Sequence, residues 1–500
     1  MDKKITIIGG GIAGLSAGCY LQMNGYDTTI YETQNLPGGV CTAWDRKGYT
    51  FDGCIHWLIG SSPSDDFYYL WNELIDMKKK EFFDPEVYAR VEGESPDEYI
   101  DLYTNIDKLE EELLKKAPED ENVIREMTGA VRKFVDLKLP ISKAREVMGF
   151  SDGIKLMKRL LPYFKDMKKW GSISGEEFSE KFKNPILKNA IKNSFTPEMS
   201  FLFMIFNFTW MTKRSAGYPI GGSLEFSKDI EKRYKELGGV IKYNSKVSKI
   251  KVINGEAKSL LLESGEEIKS DIIISAADGY NTIFKMLDGK FINKKISDYY
   301  NNRKIFPSFI QVSLGIKKEF KNIPGQLWIP LNKDLKLDPK TTETHAELRI
   351  FNFDKTVAPE GSTAVTVIFP TYNYNYWIEL RKNNNKQYRS EKKRIGEKVI
   401  EILENRFGNI SNNIEVVDVS TPATFIRYTG NWKGSFEGWI LTPDIALKQM
   451  DKALPGLKNF YMIGQWVEPG GGVPAVLMSG RNVTQIICKK DKKEFKTSSF

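Results

Sequence analysis

The chain has 500 residues, of which 41% are hydrophobic and 28% charged, a balance typical of a soluble globular protein with two or three domains. Its net charge of +8 comes from 73 Lys and Arg against 65 Asp and Glu, dispersed along the chain rather than gathered on one basic face. This dispersal argues against a nucleic-acid partner.

The few cysteines and histidines limit metal and disulfide chemistry. Cys19, Cys41, Cys54 and Cys488 form no C-x-x-C pair and the chain has only two histidines, so we expect no metal site. Their spacing suggests no disulfide framework, which fits a reducing compartment. With no signal-peptide pattern and no apolar run of ~20 residues, the sequence predicts a cytoplasmic protein with at most peripheral membrane contact.

The first predicted elements form a βαβ unit. Lys4–Ile8 is a short apolar run, as expected of a strand buried on both faces. A helix with Ile12 and Leu15 on one face follows, and then a second strand over Asp27–Tyr31. The strand and the helix are joined by Gly9-Gly10-Gly11-Ile12-Ala13-Gly14, which matches G-x-G-x-x-G.

Each glycine of this motif has a physical purpose. Gly9 permits a tight turn, Gly11 lets the backbone approach a pyrophosphate, and Gly14 lets the helix pack closely on the strand. The helix N-terminus offers N–H groups to the phosphates. Glu32, at the end of the second strand, can accept hydrogen bonds from a ribose. The sequence therefore predicts a dinucleotide site.

Further along the chain, residues 64–215 are predicted to be mostly helical, with prolines as punctuation. A helix over 224–237 then leads into strands over 240–243, 247–253, 257–262 and 272–276. The remaining predicted elements are strands over 309–316, 326–330, 346–353 and 363–369, a helix over 391–407, a strand over 459–463 and a helix over 474–488. The basic tail, 491–500, is predicted to be disordered.

Several motifs outside the glycine turn resemble those of one flavoprotein family. They are Pro37-Gly38-Gly39, the segments 48–53 and 51–60, Tyr218-Pro219-x-Gly221-Gly222, Ser275-Ala276-Ala277-Asp278, Met462-Ile463-Gly464-Gln465-Trp466, the glycines 470–472 and Ser479-Gly480-Arg481. The sequence is similar to the two-domain FAD oxidoreductases that include amine oxidases, phytoene desaturases, carotenoid isomerases and retinol saturases. Within that family it most resembles the phytoene desaturase and retinol saturase branch.

The resemblance implies an α/β fold in two domains. A discontinuous, Rossmann-like FAD-binding domain is expected over 1–85, 215–290 and 420–490. An interleaved substrate or cap domain, of antiparallel sheet and helices, is expected over 86–214 and 291–419. The resemblance is weakest over 65–215 and 290–420, where the substrate should bind.

The resemblance also assigns the cofactor contacts. The residues implied to bind FAD are Gly9, Gly11, Ile12, Ala13, Gly14, Glu32, Gly38, Gly39, Val40, Val247, Gly464, Gln465, Gly472 and Val473. Two positions depart from the family pattern. Val40 stands where relatives have a cation, so Arg46 is a candidate replacement, and Gln465 stands where an Asp is common. No second G-x-G-x-x-G follows a strand, so no separate NAD(P)H domain is expected.

The implied function is hydride-transfer chemistry by FAD on a C–C bond of a polyene, an isoprenoid or another lipid: desaturation, saturation or isomerisation. The first alternative is oxidation of a C–N bond, as in amine oxidases. It needs a small pocket with an aromatic cage, in which the sequence does not place Tyr372, Tyr374, Tyr376 and Trp377. The second alternative, of another class, is a lipid-binding or escort protein that has lost its flavin. The intact glycines and Glu32 argue against it.

Three features are weaker. His56 lies in a segment that the resemblance places near the flavin, so it is the candidate catalytic residue for proton transfer. The stretch 154–170 is a basic amphipathic helix, interrupted at Pro162, which either rests on an anionic membrane or is a cap-domain helix with a solvated face. Phe201–Met211 either lines a tunnel for an apolar substrate or packs in a core.

Overall fold

A computed structural model describes residues 3–194, 196–444, 450–468 and 470–500. It confirms the predicted fold class, a mixed α/β architecture with parallel and antiparallel sheets and many helices. The strands are β1 Lys4–Ile8, β2 Asp27–Tyr31, β3 Ala43–Arg46, β4 Tyr49–Asp52, β5 Leu58–Ile59, β6 Phe82–Phe83, β7 Val87–Glu92, β8 Tyr99–Tyr103, β9 Ala216–Pro219, β10 Val240–Lys242, β11 Val247–Ile253, β12 Glu256–Leu262, β13 Glu267–Lys269, β14 Ile272–Ser275, β15 Ser308–Ile316, β16 Gln326–Asp338, β17 Thr341–Ile350, β18 Thr363–Thr371, β19 Ile414–Ser420 and β20 Phe460–Met462. The helices are α1 Ile12–Met23, α2 Asp66–Trp71, α3 Ile106–Lys116, α4 Glu121–Phe134, α5 Phe150–Leu160, α6 Phe164–Gly171, α7 Gly175–Ser179, α8 Pro185–Asn193, α9 Phe201–Thr212, α10 Gly222–Glu236, α11 Lys294–Asn302, α12 Tyr374–Asn383, α13 Asn385–Phe407, α14 Pro422–Thr429 and α15 Val473–Lys490.

The first sheet is parallel and gathers strands from distant parts of the chain. Its order is β10-β2-β1-β14-β20, and each neighbouring pair runs parallel. The strands are short, and β1 and β14 are almost wholly buried, because helices cover the sheet. A Cβ added to Gly480 of α15 would lie 2.6 Å from the Ala17 nitrogen of α1, so this glycine lets the two helices approach closely.

The second large sheet separates a helical layer from an internal cavity. Its order is β19-β15-β18-β17-β16-β7-β8, antiparallel except where β16 meets β7. Alternate residues of β15, β17 and β18 pack with α12 and α13 in one hydrophobic core that includes Val312, Leu348 and Val399. Side chains alternate across a strand, and some of the residues between them, among them Phe309, Glu347 and Ile368, line the cavity.

The region predicted to be mostly helical also contains strands. Residues 64–215 do include α2–α9, but β6, β7 and β8 interrupt them at 82–103. The alternation in Val87–Glu92 and Tyr99–Tyr103 is only five or six residues long. β7 pairs with β16, more than 200 positions later in the chain, and β8 pairs with β7, and no local pattern reveals the long-range pairing.

The expected disorder of the tail is wrong. The Lys496 N–H donates to Asn24 Oδ1 over 2.8 Å, and the Phe500 N–H donates to the Asn72 carbonyl over 3.1 Å. The Phe495 ring lies 6.1 Å from that of Tyr20. The prediction was based on the lysines of this segment. The segment also contains two aromatic rings, which contact the rest of the protein.

Candidate functional site

The turn between β1 and α1 points backbone N–H groups into a large cavity. Gly9 has a φ of 97°, and a Cβ on Gly14 would lie only 2.0 Å from the Gly9 oxygen, so neither position accepts a side chain. No described side chain caps the start of α1. Gly9, Gly11, Ile12 and Ala13 line the cavity, so the open helix end and its dipole suit an anionic pyrophosphate.

Glu32 is held beside this turn by backbone donors. The Gly10 N–H donates to one carboxylate oxygen over 2.6 Å, and the Gln34 N–H donates to the other over 2.8 Å. Burial raises the pKa of this carboxyl, and the backbone donors oppose that shift. The carboxylate also lines the cavity. Its fixed position fits an acceptor for ribose hydroxyls.

The structure brings most of the remaining predicted cofactor residues to the same cavity. Its lining also includes Gly38, Gly39, Val40, Val247, Gly464, Gln465, Gly472 and Val473. The Gly38 N–H donates to the Gly10 carbonyl over 2.9 Å, and the Gly464 N–H to Ser479 Oγ over 2.9 Å. Segments that lie more than 400 residues apart in the chain therefore form one continuous wall.

Two predicted cofactor residues lie elsewhere. Gly14 lies beneath the turn, where its role is close packing against Gly9. The Arg46 guanidinium is half-exposed and its Nε donates to Asp418 Oδ2 over 2.9 Å. Arg46 does not line the cavity, so it does not replace the cation missing at Val40. The short strand β3 directs its side chain to Asp418 instead.

A second helix begins at the cavity wall. Gly470, Gly471 and Gly472 have φ values of 93°, 50° and 74°, a run of left-handed backbone that glycine adopts readily. The run leads into α15, which no described side chain caps. A Cβ on Gly471 would lie 2.5 Å from the Cβ of Glu437. Glu437 therefore lies beside the glycine run that leads into α15.

Away from the glycines, aromatic rings line the cavity together with polar and aliphatic side chains. Its volume is about 1400 Å³. The aromatic residues on this side are Trp57, Tyr88, Phe203, Trp210, Phe306, Phe309, Trp328, Phe369, Tyr372 and Phe436. Both readings of Phe201–Met211 hold in part: Phe203, Asn207 and Trp210 line the cavity, whereas Phe201, Ile205 and Phe208 belong to a buried core.

The residues considered for an amine-oxidase cage do not converge. Tyr372 lines the cavity, but Trp377 is fully buried in the core between the sheet and α13. Tyr374 and Tyr376 belong to α12 and are not part of the cavity wall. These four residues therefore form no aromatic cage together.

His56 lines the cavity, as its predicted role requires. Burial, aided by the nearby Arg349 charge, lowers the pKa of its imidazole well below the ordinary value, so the ring is uncharged at neutral pH. Arg349 Nη2 donates to the His56 carbonyl oxygen over 3.1 Å. This bond fixes the backbone that carries the ring.

Glu437 is a residue that sequence reasoning missed. It lines the cavity beside Gly471, and burial raises the pKa of its carboxyl to about 7. Its charge also helps to raise the pKa of the Cys54 thiol, after a hydrogen bond with Cys41 and burial. A single Glu between Phe436 and Gly438 carries no sequence signal, because only the fold brings it to this place.

One face of β17 presents a strip of polar side chains to the cavity. Sequence reasoning missed this strip as well. The strip consists of Glu343, His345, Glu347 and Arg349. Burial raises the pKa of the Glu343 carboxyl to about 7. Burial and the neighbouring Glu343 charge do the same for Glu347. The alternation of charged and apolar residues over Thr341–Ile350 is visible in the sequence and could have revealed the strip.

The basic amphipathic stretch forms α5 and α6, separated at Pro162 as expected. Its apolar side faces outward: Phe150 is 88% exposed, Met157 66%, Leu161 69% and Phe164 66%. Among the described helices, none is long and apolar enough to cross a membrane. The described residues also contain no cluster of His, Cys, Asp and Glu that could hold a metal ion.

Comparisons with known proteins identify the family of the chain. The profile of the family described as flavin containing amine oxidoreductase matches residues 12–488. The chain is 25% identical to the chloroplastic prolycopene isomerase of Arabidopsis thaliana, over 95% of this chain and 80% of that protein. It is 23% identical to the 4,4'-diapophytoene desaturase (4,4'-diapolycopene-forming) of Methylomonas sp, over 99% and 97% of the two chains. The structure of cyclohexylamine oxidase from Brevibacterium oxydans IH-35A matches with a TM-score of 0.60 and 13% identity, over 99% and 100% of the two chains, which shows a shared fold.

Proposed function

Because the chain belongs to the flavin containing amine oxidoreductase family and is a flavin-dependent oxidoreductase, we propose that its cofactor is FAD and its substrate an apolar polyene or isoprenoid. The proposed reaction is hydride transfer at a C–C bond, seen as desaturation, saturation or isomerisation. Two of the relatives that span the chain are named as a prolycopene isomerase and a 4,4'-diapophytoene desaturase, which supports this over oxidation of a C–N bond.

The observation that carries the proposal is one continuous cavity with two kinds of wall. One wall holds the open end of α1 and the carboxylate of Glu32, which suit the adenosine diphosphate half of FAD. The other wall is built of aromatic rings, which suit an apolar chain. The open end of α15 at Gly472 and Val473 lines the same cavity, where its dipole would stabilise negative charge on a reduced flavin ring.

Bound FAD would supply the hydride chemistry, and the chain's own residues handle the rest. The aromatic wall orients the substrate and excludes water. We propose Glu437 as the group that exchanges a proton with the substrate, since its carboxyl titrates near neutral pH. The uncharged His56 ring contacts the substrate or flavin and accepts a proton or hydrogen bond.

The first experiment identifies the cofactor. Protein purified under mild conditions should be yellow, and the molecule released by heat should elute with FAD on chromatography. Anaerobic incubation with a C40 or C30 polyene should then change the flavin spectrum and give a product with an altered number or geometry of double bonds. Release of FMN or NAD, or purification without a flavin, would refute the cofactor assignment and support the escort alternative.

We also propose that α5 and α6 rest on an anionic membrane surface. Their outward face combines exposed rings and aliphatic chains with Lys155, Lys158, Arg159, Lys165 and Lys168. No salt bridge engages these five cations within the part of the chain that the structure describes. An apolar face flanked by free positive charge is typical of a helix that lies in the membrane interface. Such a surface would deliver an apolar substrate to the protein without passage through water.

A further inference from the structure

Two of the four cysteines lie opposite each other at the open end of the hairpin formed by β3 and β4. The two strands pair in antiparallel register, and the Gly53 N–H donates to the Thr42 carbonyl over 3.0 Å, which extends that register by one position. Cys41 and Cys54 are the next residues on the two sides, so they occupy the following pair of opposite positions. Next to a hydrogen-bonded pair, the Cα atoms of opposite residues lie about 4.5 Å apart. A disulfide spans Cα separations of about 4.4–6.8 Å, so this position suits one.

The two thiols also contact each other. The Cys54 thiol is hydrogen-bonded to that of Cys41, and the Cys41 Sγ donates to the Ser223 carbonyl oxygen over 3.6 Å. Ser223 also holds the segment that carries Cys54, because its Oγ accepts from the Ile55 N–H over 2.7 Å. The first turn of α10 therefore positions both thiols, and an S–S bond between them requires little movement of the backbone.

Both cysteines line the cavity, close to the glycine segments proposed to hold the flavin. Cys41 directly follows residues 38–40, which line the same cavity. The charge of Glu437, which lies beside Gly471, acts on Cys54. Cys41 is 3% exposed, whereas Cys54 is half-buried, so Cys54 is the thiol of the pair that a dissolved reagent reaches first.

The surroundings of Cys54 suppress its reaction with dissolved oxidants. The hydrogen bond with Cys41, burial and nearby negative charge raise the pKa of the Cys54 thiol well above its ordinary value. Because the thiolate is the reactive form of cysteine, a thiol that stays protonated at neutral pH reacts slowly with reagents in solution. An oxidant held against the pair in the cavity gains from proximity instead. The site therefore favours a bound redox partner over a dissolved one.

We propose that Cys41 and Cys54 form a dithiol–disulfide couple that exchanges an electron pair with the flavin. With oxidised flavin bound, both S–H bonds break and one S–S bond forms. The electron pair and one proton pass to the flavin, and the second proton leaves to solvent. A dissolved dithiol restores the pair by thiol–disulfide exchange at Cys54 and is itself oxidised to a disulfide.

This inference rests on the proposed function, because it needs a flavin in the cavity. It adds to that function a class of electron donor, a dithiol, and a route by which the flavin is reduced. Saturation of a double bond consumes the electron pair that this route supplies, and isomerisation through reduced flavin needs it to start.

The first test counts thiols in the wild-type protein. Flavin-loaded protein kept in air should lose two of its four thiols, because oxygen returns the flavin to its oxidised form and the pair is then oxidised in turn. Flavin-free protein under the same conditions should keep all four. Peptide mapping should show Cys41 linked to Cys54. Loss of no thiols from the loaded protein, or the same loss with and without flavin, would overturn the inference and leave the proposed function standing.

The second test follows the flavin in the absence of oxygen, with dithiothreitol as the donor. The visible absorbance of the wild-type flavin should fall. Cys41→Ser and Cys54→Ser should slow that change by about 10²-fold, because a thiol pair held in place needs no second encounter. The control is Cys488→Ser, a buried thiol of α15 outside the cavity lining, which should react like the wild type.

The flavin spectrum of each serine variant shows that it is folded, and if a variant loses its flavin the thiol count of the wild type decides. Equal rates of flavin reduction in the wild type and both variants would overturn the inference. Purified protein that carries no flavin would overturn the proposed function and this inference with it.

Discussion

The two walls of the cavity are built from different parts of the polypeptide. The nucleotide wall is mostly main chain: the N–H groups of the glycine turn, the backbone at Gly38 and Gly464, and one carboxylate held by backbone donors. The substrate wall consists of side chains from β17, α9 and the segment around His56. A main-chain site depends on the absence of side chains, whereas a side-chain site depends on which ones are present. Exchange of a few residues can retune the second wall and leave the first intact.

The largest expected effect tests the main-chain wall. Gly11→Leu should abolish flavin binding, because the added side chain would occupy the space in which a pyrophosphate lies. A Cβ there meets nothing closer than the Gly38 oxygen at 3.6 Å, so the fold should survive. The measurement is the flavin absorbance of the purified variant together with its circular dichroism.

The matched control for this change is Gly129→Leu. Gly129 is an exposed glycine of α4 with no atom within 4 Å of an added Cβ. This variant should retain the flavin. If the Gly11→Leu protein binds a full complement of flavin, the nucleotide wall does not depend on the absence of a side chain, and the contrast between the two walls is wrong.

The next effect belongs to the substrate wall. Glu437→Gln should slow the chemical step by about 10²–10⁴ and leave the flavin bound. The carboxyl has a pKa of about 7. If it removes a proton from the substrate, the wild-type rate rises with pH through that value; if it gives one, the rate falls. Single-turnover flavin reduction or reoxidation, measured across neutral pH, should show this change of rate with pH in the wild type. The variant should show no such change. If the rate of the variant still changes with pH in this range, another group exchanges the proton.

A smaller loss is expected at His56. Its imidazole is uncharged at neutral pH, so it is not an imidazolium acid there, and His56→Ala should cost about 10²-fold, near the lower end for an acid or base. The pH dependence of the rate that is assigned to Glu437 should remain in this variant, which distinguishes the role of His56 from that of Glu437. Rates within a few fold of wild type, on protein that keeps its flavin spectrum, would make His56 structural.

The smallest effect concerns the outer surface. Lys158→Glu should weaken binding to anionic vesicles, because each basic residue near such a surface contributes about 1 kcal/mol. Flotation with vesicles of phosphatidylserine and phosphatidylcholine measures the bound fraction, and Lys382→Glu on the exposed side of α12 is the control. Binding that high salt removes fits charge attraction. Binding that resists salt assigns the main contribution to the apolar face around Phe164. No binding by the wild type would make α5 and α6 solvated cap helices.

The sequence alone determined the nucleotide wall, because its physics is local. The strand, the glycine turn, the helix and Glu32 follow one another within a short stretch, and each demands a particular residue type. The resemblance of the later glycine segments to a flavoprotein family extended this prediction to Gly464 and Gly472, and the structure brings both to the same cavity.

Only the tertiary structure decided the substrate wall. β7 joins the large sheet through β16, a strand from a distant part of the chain, and β8 joins it through β7. Glu437 and the strip on β17 acquire their environment when sheet and helices enclose them, and burial then raises the pKa of each carboxyl. Arg46 shows the same dependence, since its position near the glycine segments in sequence says nothing about Asp418, its partner in the fold. A carboxyl's chemistry depends on its solvation and neighbours, and these are properties of the assembled protein rather than of any segment.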